Sequence, residues 1–164
     1  MRKMPSRMNR QAGVMLIEAL IAILIFSIGV LGIIGLQGSA VKASTDAKYR
    51  SEAALLANEL IGRMWAGDRT QATLQANFSS ANGPLYQQWA WIGSVAASPG
   101  TTAAPAAGTV LAALPGASAN RPTVVIAPGM GTALPSSQVT ITIFWQVPGE
   151  VAVHSYVAMA QIGG

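Results

Sequence analysis

The sequence contains no cysteine and little charge, and these two absences exclude several classes of protein. Without cysteine, the 164-residue chain can form neither a disulfide nor a thiolate metal site. Only 10% of its residues are charged, whereas 51% are hydrophobic. This composition is typical of a membrane segment joined to a small, weakly charged domain. At about 100 to 200 residues per domain, the length leaves room for one such domain and argues against a multidomain enzyme.

The positive charge of the chain is concentrated at its N-terminus. The formal net charge is +4, and four basic residues with no acid among them precede Gly13: Arg2, Lys3, Arg7 and Arg10. From residue 14 onward, six basic residues balance six acidic ones. Nucleic-acid binding requires a basic stripe on the folded domain, so we expect no nucleic-acid partner.

Residues that could carry catalysis are also scarce. The single histidine, His154, falls in a predicted strand, with no second histidine, cysteine or local carboxylate cluster in the sequence around it. A metal site or a nucleophile–base pair needs such neighbours, and Ser155 would face the opposite side of the strand. We therefore expect no catalytic residue, no metal and no cofactor. An enzyme anchored in the periplasm is the least favoured class.

One long apolar run is present, from Val14 to Leu36, interrupted only by Glu18, Ser27 and three glycines. A helix needs about 20 such residues to cross a bilayer. Each of the many Leu, Ile, Val and Phe residues favours insertion into the membrane by about 0.3 to 0.6 kcal/mol. Together these contributions outweigh a cost of about 2.5 to 3.5 kcal/mol for the acid. Since a long C-terminal domain is exported largely regardless of its charges, residues 37 onward are predicted to lie outside the cytoplasm.

Three interpretations of this run compete. A secretory signal peptide cut near Gly38-Ser39-Ala40 would have an apolar core much longer than the usual 7 to about 15 residues. An uncut signal anchor explains the length of the run but gives no reason for an acid inside it. The third interpretation explains the order of residues around Gly13.

The stretch from Gly13 to Ala22, GVMLIEALIA, resembles the processing motif of type IV prepilins and their pseudopilin relatives. The resemblance implies that prepilin peptidase removes a leader of residues 1–13 by cutting after Gly13, and methylates the new N-terminal amine of Val14. Glu18 would be the family's glutamate, at the fifth position of the mature chain. Val14 is a departure, because phenylalanine or methionine is usual there, and the lack of a C-terminal disulfide departs from many minor pilins.

Physical reasoning about Glu18 points the same way. A carboxylate inside an apolar helix is normally paired or functional, and the amine of Val14 on a neighbouring subunit is a suitable partner. Within the low-dielectric core of a filament, this pairing would set the register between subunits. The alternative is an acid that reaches back to the lipid headgroups.

Glycine recurs at every third position late in the run, at Gly29, Gly32, Gly35 and Gly38. Each costs about 1 kcal/mol of helix stability relative to alanine. Close helix packing, local melting on leaving the bilayer, and ordinary tolerance of glycine in membrane helices all remain open. Residues 16–22, 26–32 and 35–37 together are similar to the minor pilins of the type IV pilus modification (PilV) family.

Residues 37–65 are predicted to continue the helix as an amphipathic half. Apolar residues follow helical spacing at Ala53, Leu56, Ala57, Leu60 and Met64. On the other faces, Lys48 with Glu52 and Glu59 with Arg63 are opposite charges four residues apart, which favours an exposed helical surface.

Residues 66–164 are predicted to form a globular head. Aromatic residues are expected to cover the sheet-facing side of the helix, with a stacking platform for sugars or bases as the alternative: Trp65, Phe78, Tyr86, Trp89 and Trp91. Residues 93–121 are predicted to be one long loop, either a disordered excursion or a surface that meets partners.

The C-terminal part of the head is predicted to be β-structure. Strands are expected at 123–126, 138–147 and 151–162, the last two as an antiparallel hairpin around Pro148-Gly149. Five residues of the middle strand should face the helix: Val139, Ile141, Ile143, Trp145 and Val147. One long helix followed by strands predicts an α+β fold.

The resemblance implies a structural function: a minor type IV pilin that helps initiate pilus assembly. The expected partners are prepilin peptidase, other major and minor pilins, the inner-membrane assembly platform and the lipid bilayer. The expected location is the inner membrane with a periplasmic head, and then the pilus fibre or cell surface. A minor pseudopilin of a type II secretion system and a membrane-anchored adhesin or binding module remain open.

Overall fold

The computed structural model describes residues 11–92, 106–129 and 136–163. Residues 1–10, which make up most of the expected leader, lie outside the described part. The chain divides between Ser44 and Thr45 into two compact units, which are described separately.

Helix α1, Gln11–Ala66, runs through the apolar segment and beyond it. No proline occurs between Pro5 and Pro84 to break it, and Gly67 follows its last residue, as is common at helix ends. In the first unit, every residue from 13 to 44 is exposed. This unit is therefore an apolar helix without packing partners among the described residues.

In the second unit, the C-terminal part of α1 contributes one face to the hydrophobic core. The predicted stripe is confirmed, because all five of its residues are buried: Ala53, Leu56, Ala57, Leu60 and Met64. On the exposed side, Arg63 Nη2 lies 2.6 Å from Glu59 Oε1, while the Lys48 ammonium lies 5.9 Å from the ring centroid of Tyr49.

Three antiparallel strands complete the fold, β1 Thr123–Pro128, β2 Ser136–Trp145 and β3 His154–Gly163, in the order β1-β2-β3. The inward side chains of β2 alternate with outward ones and pack in one cluster with the buried face of α1. The predicted α+β architecture is confirmed.

The predicted strands exist, but their ends differ. β2 stops at Trp145 because the backbone N–H of Gln146 donates to the carbonyl of Pro115, at 2.8 Å, instead of continuing the ladder. Val147 lies beyond the strand yet still packs against the core, as expected. The turn that follows uses Gly149 at φ +86°, a conformation that favours glycine.

Short helices connect α1 to the sheet: α2 Gln71–Phe78, α3 Pro84–Gln87, a π-helical turn Gln88–Ile92, and α4 Val110–Ala113. Gly83 allows the chain to pass close to α2, since a Cβ there would collide with the carbonyl group of Asn77. This close approach brings the buried Tyr86 and Trp89 onto the core.

The prediction of one structureless loop over 93–121 is wrong for residues 106–121. Helix α4 lies within this segment, and three apolar residues of the segment are buried: Val110, Leu114 and Ala117. The N–H of Ala106 also donates to the carbonyl of Trp91, at 3.2 Å. A few apolar side chains at helical spacing are enough to fold this small-residue segment onto the core. Residues 93–105 lie outside the described part.

Trp65 also differs from its predicted role, because 46% of it is exposed. It follows the buried Met64 by one residue, or about 100° of helix rotation, which carries its side chain off the buried face. The guanidinium of Arg69 lies 5.6 Å from its ring centroid. The other expected aromatic residues are buried or partly buried in the core: Phe78, Tyr86, Trp89 and Trp91.

Candidate functional site

The first candidate site is the start of α1. Gly13 and Val14 lie in its first turn, and Glu18 lies one turn later. Val14, Ile17, Glu18 and Ile21 line one shallow surface groove, because spacings of three, four and seven residues fall on one face of a helix. Val14 is 66% exposed. The predicted cleavage position and the predicted register residue therefore share one open, mostly apolar face.

The carboxylate of Glu18 has no partner among the described residues, in contrast to the other polar side chain of the apolar run. The hydroxyl of Ser27 donates a 2.7 Å hydrogen bond to the carbonyl of Ile23, one turn earlier. Ser27 is thus satisfied within its own helix. A buried carboxylate without a partner is far more costly, so Glu18 needs a partner from outside the described chain in any apolar environment.

The four glycines of the series all lie within α1, which is helical throughout. A Cβ at Gly29, Gly32, Gly35 or Gly38 would meet no atom within 4 Å. Nothing in the described structure requires glycine at these positions. The series instead leaves an uncrowded strip on the helix, open to close approach by another chain.

Among the described residues, α1 is the one helix that is long and apolar enough to cross a membrane, judged by length and composition. It lies near the N-terminus, and the apolar window that qualifies has none of its residues buried.

The second candidate site, in the head, is a cluster around His154 that the sequence analysis missed. Its Nε2 lies 2.9 Å from Glu150 Oε2, and its Nδ1 lies 3.4 Å from Asp46 Oδ1. The ring also stacks on Trp145, with centroids 5.7 Å apart and planes 14° apart. The sequence shows no local carboxylate cluster, and the fold brings two separate carboxylates to this histidine.

Each ring nitrogen of His154 faces a carboxylate oxygen. A neutral imidazole carries one N–H and can donate to one carboxylate only, whereas imidazolium donates from both nitrogens. Asp46 Oδ1 is buried and, among the described residues, has no hydrogen-bond partner, so its 3.4 Å approach to His154 Nδ1 is an electrostatic contact. Through these two contacts, His154 links Asp46 on α1 to Glu150, in the connection between β2 and β3.

One half of this cluster had a sequence signal. Glu150 lies four residues before His154, with both after the Pro148-Gly149 turn, so the two are close along the chain. Asp46 is more than a hundred positions away, and only the packing of α1 on the sheet brings it near. Among the described residues, no group of three or more His, Cys, Asp or Glu is arranged to hold a metal ion.

A third feature is the aromatic group that could have formed a stacking platform. The hydroxyl of Tyr86 donates a 2.6 Å hydrogen bond to the carbonyl of Pro122, and its ring meets Trp91 edge-on at 5.6 Å. The Arg121 guanidinium covers Trp91 at 4.5 Å. Burial raises the pKa of Tyr86, and the charge of Arg121 partly opposes this effect. These rings fill the core instead of offering open faces.

The described residues thus form an apolar N-terminal helix with an unpartnered acid and a small α+β head. Comparisons with protein-family models, curated proteins and solved structures found no match to this chain. Its function is therefore inferred from its own residues.

Proposed function

We propose that the chain is a minor type IV pilin, a structural subunit that helps initiate pilus assembly. The observation that carries this proposal is the unpartnered Glu18 carboxylate, which shares an exposed apolar face with Val14. The resemblance of Gly13 to Ala22 to a prepilin processing site supplies the missing partner, because cleavage after Gly13 creates an amine at Val14.

The amine and the acid suit a contact between two subunits. Val14 and Glu18 are four residues apart, so their backbones are separated by about 6 Å along one helix. An amine from a neighbouring subunit can approach the carboxylate directly. In a low-dielectric filament core, this pair would neutralise a charge that is otherwise expensive to bury. It would also fix the axial position of one subunit against the next.

The remainder of α1 supports the same function. Its apolar surface suits storage in the inner membrane, with the head in the periplasm, followed by packing against other pilin helices in the pilus fibre. The uncrowded glycine strip gives other major and minor pilins a place for close contact. Prepilin peptidase and the inner-membrane assembly platform are the further partners of this proposal.

The proposal is tested by replacing Glu18 in a strain that lacks the native gene. Glu18→Ala should still be inserted in the membrane and cleaved, but should be lost from the sheared pilus fraction, with fewer pili per cell. Ser27→Ala is the matched control, since its hydroxyl is satisfied within the helix. Normal incorporation of Glu18→Ala would contradict the proposal.

Deleting the gene separates the proposal from its alternatives. A minor pilin should leave protein secretion intact while piliation falls. Loss of secretion with normal piliation would instead identify a minor pseudopilin of a type II secretion system. Normal piliation and secretion with loss of surface attachment would identify an anchored adhesin.

A further inference from the structure

Strand β3 is an edge of the head's sheet that is open among the described residues. It pairs with β2 along its full length, from His154 opposite Trp145 to Gly163 opposite Ser136, and it is last in the strand order. Among the described residues, no backbone group bonds to its other side. In an antiparallel edge strand, the N–H and C=O of every second residue point away from the sheet. These groups are available to another strand.

The opposite edge of the sheet is closed. The N–H and hydroxyl of Ser80 both donate to the carbonyl of Val124 on β1, at 3.3 and 3.2 Å. The side-chain amide of Gln75 donates to the carbonyl of Ile126, at 3.0 Å. Helix α2 and the turn after it thus occupy the edge of β1. Among the described residues, the β1 edge of the sheet is covered and the β3 edge is not.

β3 also lacks the features that normally protect an edge. Natural edge strands carry charged side chains, proline or bulges, or are short. This strand has ten residues with no Asp, Glu, Lys, Arg or Pro, and its ten pairs with β2 follow without a bulge. Its outward side chains include Val157, 48% exposed, and Met159, 68% exposed. Beyond His154 at its start, the surface beside the open edge is therefore uncharged and partly apolar.

A cleft lies on the same strand. It has a volume of about 240 Å³ and is lined by Gln138, Met159, Ala160 and Gln161. The amide of Gln161 donates to the hydroxyl of Ser136, at 2.9 Å, which holds that wall in place. The cleft is large enough for one side chain, and it combines an apolar wall with amide groups.

We propose that β3 receives an extended, uncharged segment of a different protein, which adds to the sheet as a fourth strand. The backbone of the segment pairs with the open edge. Its apolar side chains lie beside Val157 and Met159, and one side chain enters the cleft. A charged segment is disfavoured, because it would lose water without meeting an opposite charge. This proposal does not depend on the chain being a pilin.

The test uses the full chain in detergent and a labelled ten-residue peptide of alternating valine and threonine. Fluorescence anisotropy should show saturable binding, and hydrogen exchange should slow at amides of β3 and not of β1. A peptide with lysine in place of every threonine should bind about tenfold more weakly or worse.

Two variants locate the binding site. Met159→Lys should weaken binding about tenfold or more, whereas Val125→Lys should bind normally. Val125 is the matched control because it is 58% exposed and lies on the outer face of the sheet at the closed edge. Equal binding by both variants would overturn the proposal, as would absence of saturable binding. The proposal would also be overturned if the chain bound no peptide but formed a dimer that Met159→Lys abolishes. A second copy of the chain would then be the occupant of the edge.

Discussion

The indole N–H of Trp89 donates a 3.0 Å hydrogen bond to the backbone carbonyl of Leu56, in the C-terminal part of α1. Trp89 belongs to the π-helical turn and is 1% exposed. This bond joins the segment that follows α3 to the long helix at the centre of the head's core. The carbonyl of Leu56 is thus the hydrogen-bond acceptor for the buried indole N–H of Trp89, and the sequence alone does not identify this pair.

Replacing this tryptophan tests the importance of the bond. Trp89→Phe should lower the free energy of unfolding of the head by about 1 to 3 kcal/mol, because a hydrogen bond and part of a buried ring are lost. Urea unfolding of the detergent-solubilised chain, followed by near-ultraviolet circular dichroism, measures the change. Trp65→Phe is the control and should change stability by about 0.5 kcal/mol or less, since 46% of Trp65 is exposed and it lies off the buried face.

Two leucines on α1 test which face of the helix packs in the core. Leu60 is 0% exposed and Leu55 is 66% exposed. Leu60→Ala should cost about 2 to 5 kcal/mol of stability, and Leu55→Ala about 0.5 kcal/mol or less. The same urea titration compares them. Similar losses at both positions would show that the buried face is assigned wrongly.

The head should lose stability in alkali through Tyr86. Burial raises the pKa of this phenol above its ordinary value of 10.0. A raised pKa in the folded state means that the contribution of Tyr86 is complete below pH 10 and is lost as pH rises through the folded pKa. Absorbance titration of the phenols should find one that ionises late. In Tyr86→Phe, the late phenol should disappear and the alkaline loss of stability should be smaller.

The start of α2 should respond to acid through Asp68. The N–H of Thr70 and the hydroxyl of Thr73 both donate to its carboxylate, each at 2.9 Å. These bonds, the Thr70 N–H first, lower its pKa below the ordinary 3.8. A lowered folded pKa means that this contribution is present above pH 3.8 and is lost as pH falls through the folded pKa. Carboxyl NMR titration should show the low pKa, and Thr73→Ala should raise it towards normal.

The sequence predicted those parts of the fold that depend on periodicity. The buried stripe from Ala53 to Met64 and the alternation of β2 both follow from the repeat of a single element. Residues 106–121 were misjudged because alanine, glycine and proline give little periodic signal, although Val110 and Leu114 are buried. Local composition did not show that the core extends to this segment.

The candidate site residues also divide into those that follow a local sequence pattern and those that only the tertiary structure brings together. Gly13, Val14 and Glu18 form a local pattern, so their order along the chain was enough to predict them as site residues. The contact of His154 with Asp46 requires α1 and the sheet to be folded against each other first. Long-range pairs of this kind are created by the tertiary structure and leave no spacing to recognise.

The central claim is tested most directly by the N-terminal sequence and intact mass of the protein, taken from membranes of cells with and without prepilin peptidase. We predict a chain that begins at methylated Val14 when the peptidase is present, and an uncut chain that keeps residues 1–13 when it is absent. A chain that begins at Val41, or at an uncut Met1, in both strains would contradict the assignment to the pilin class.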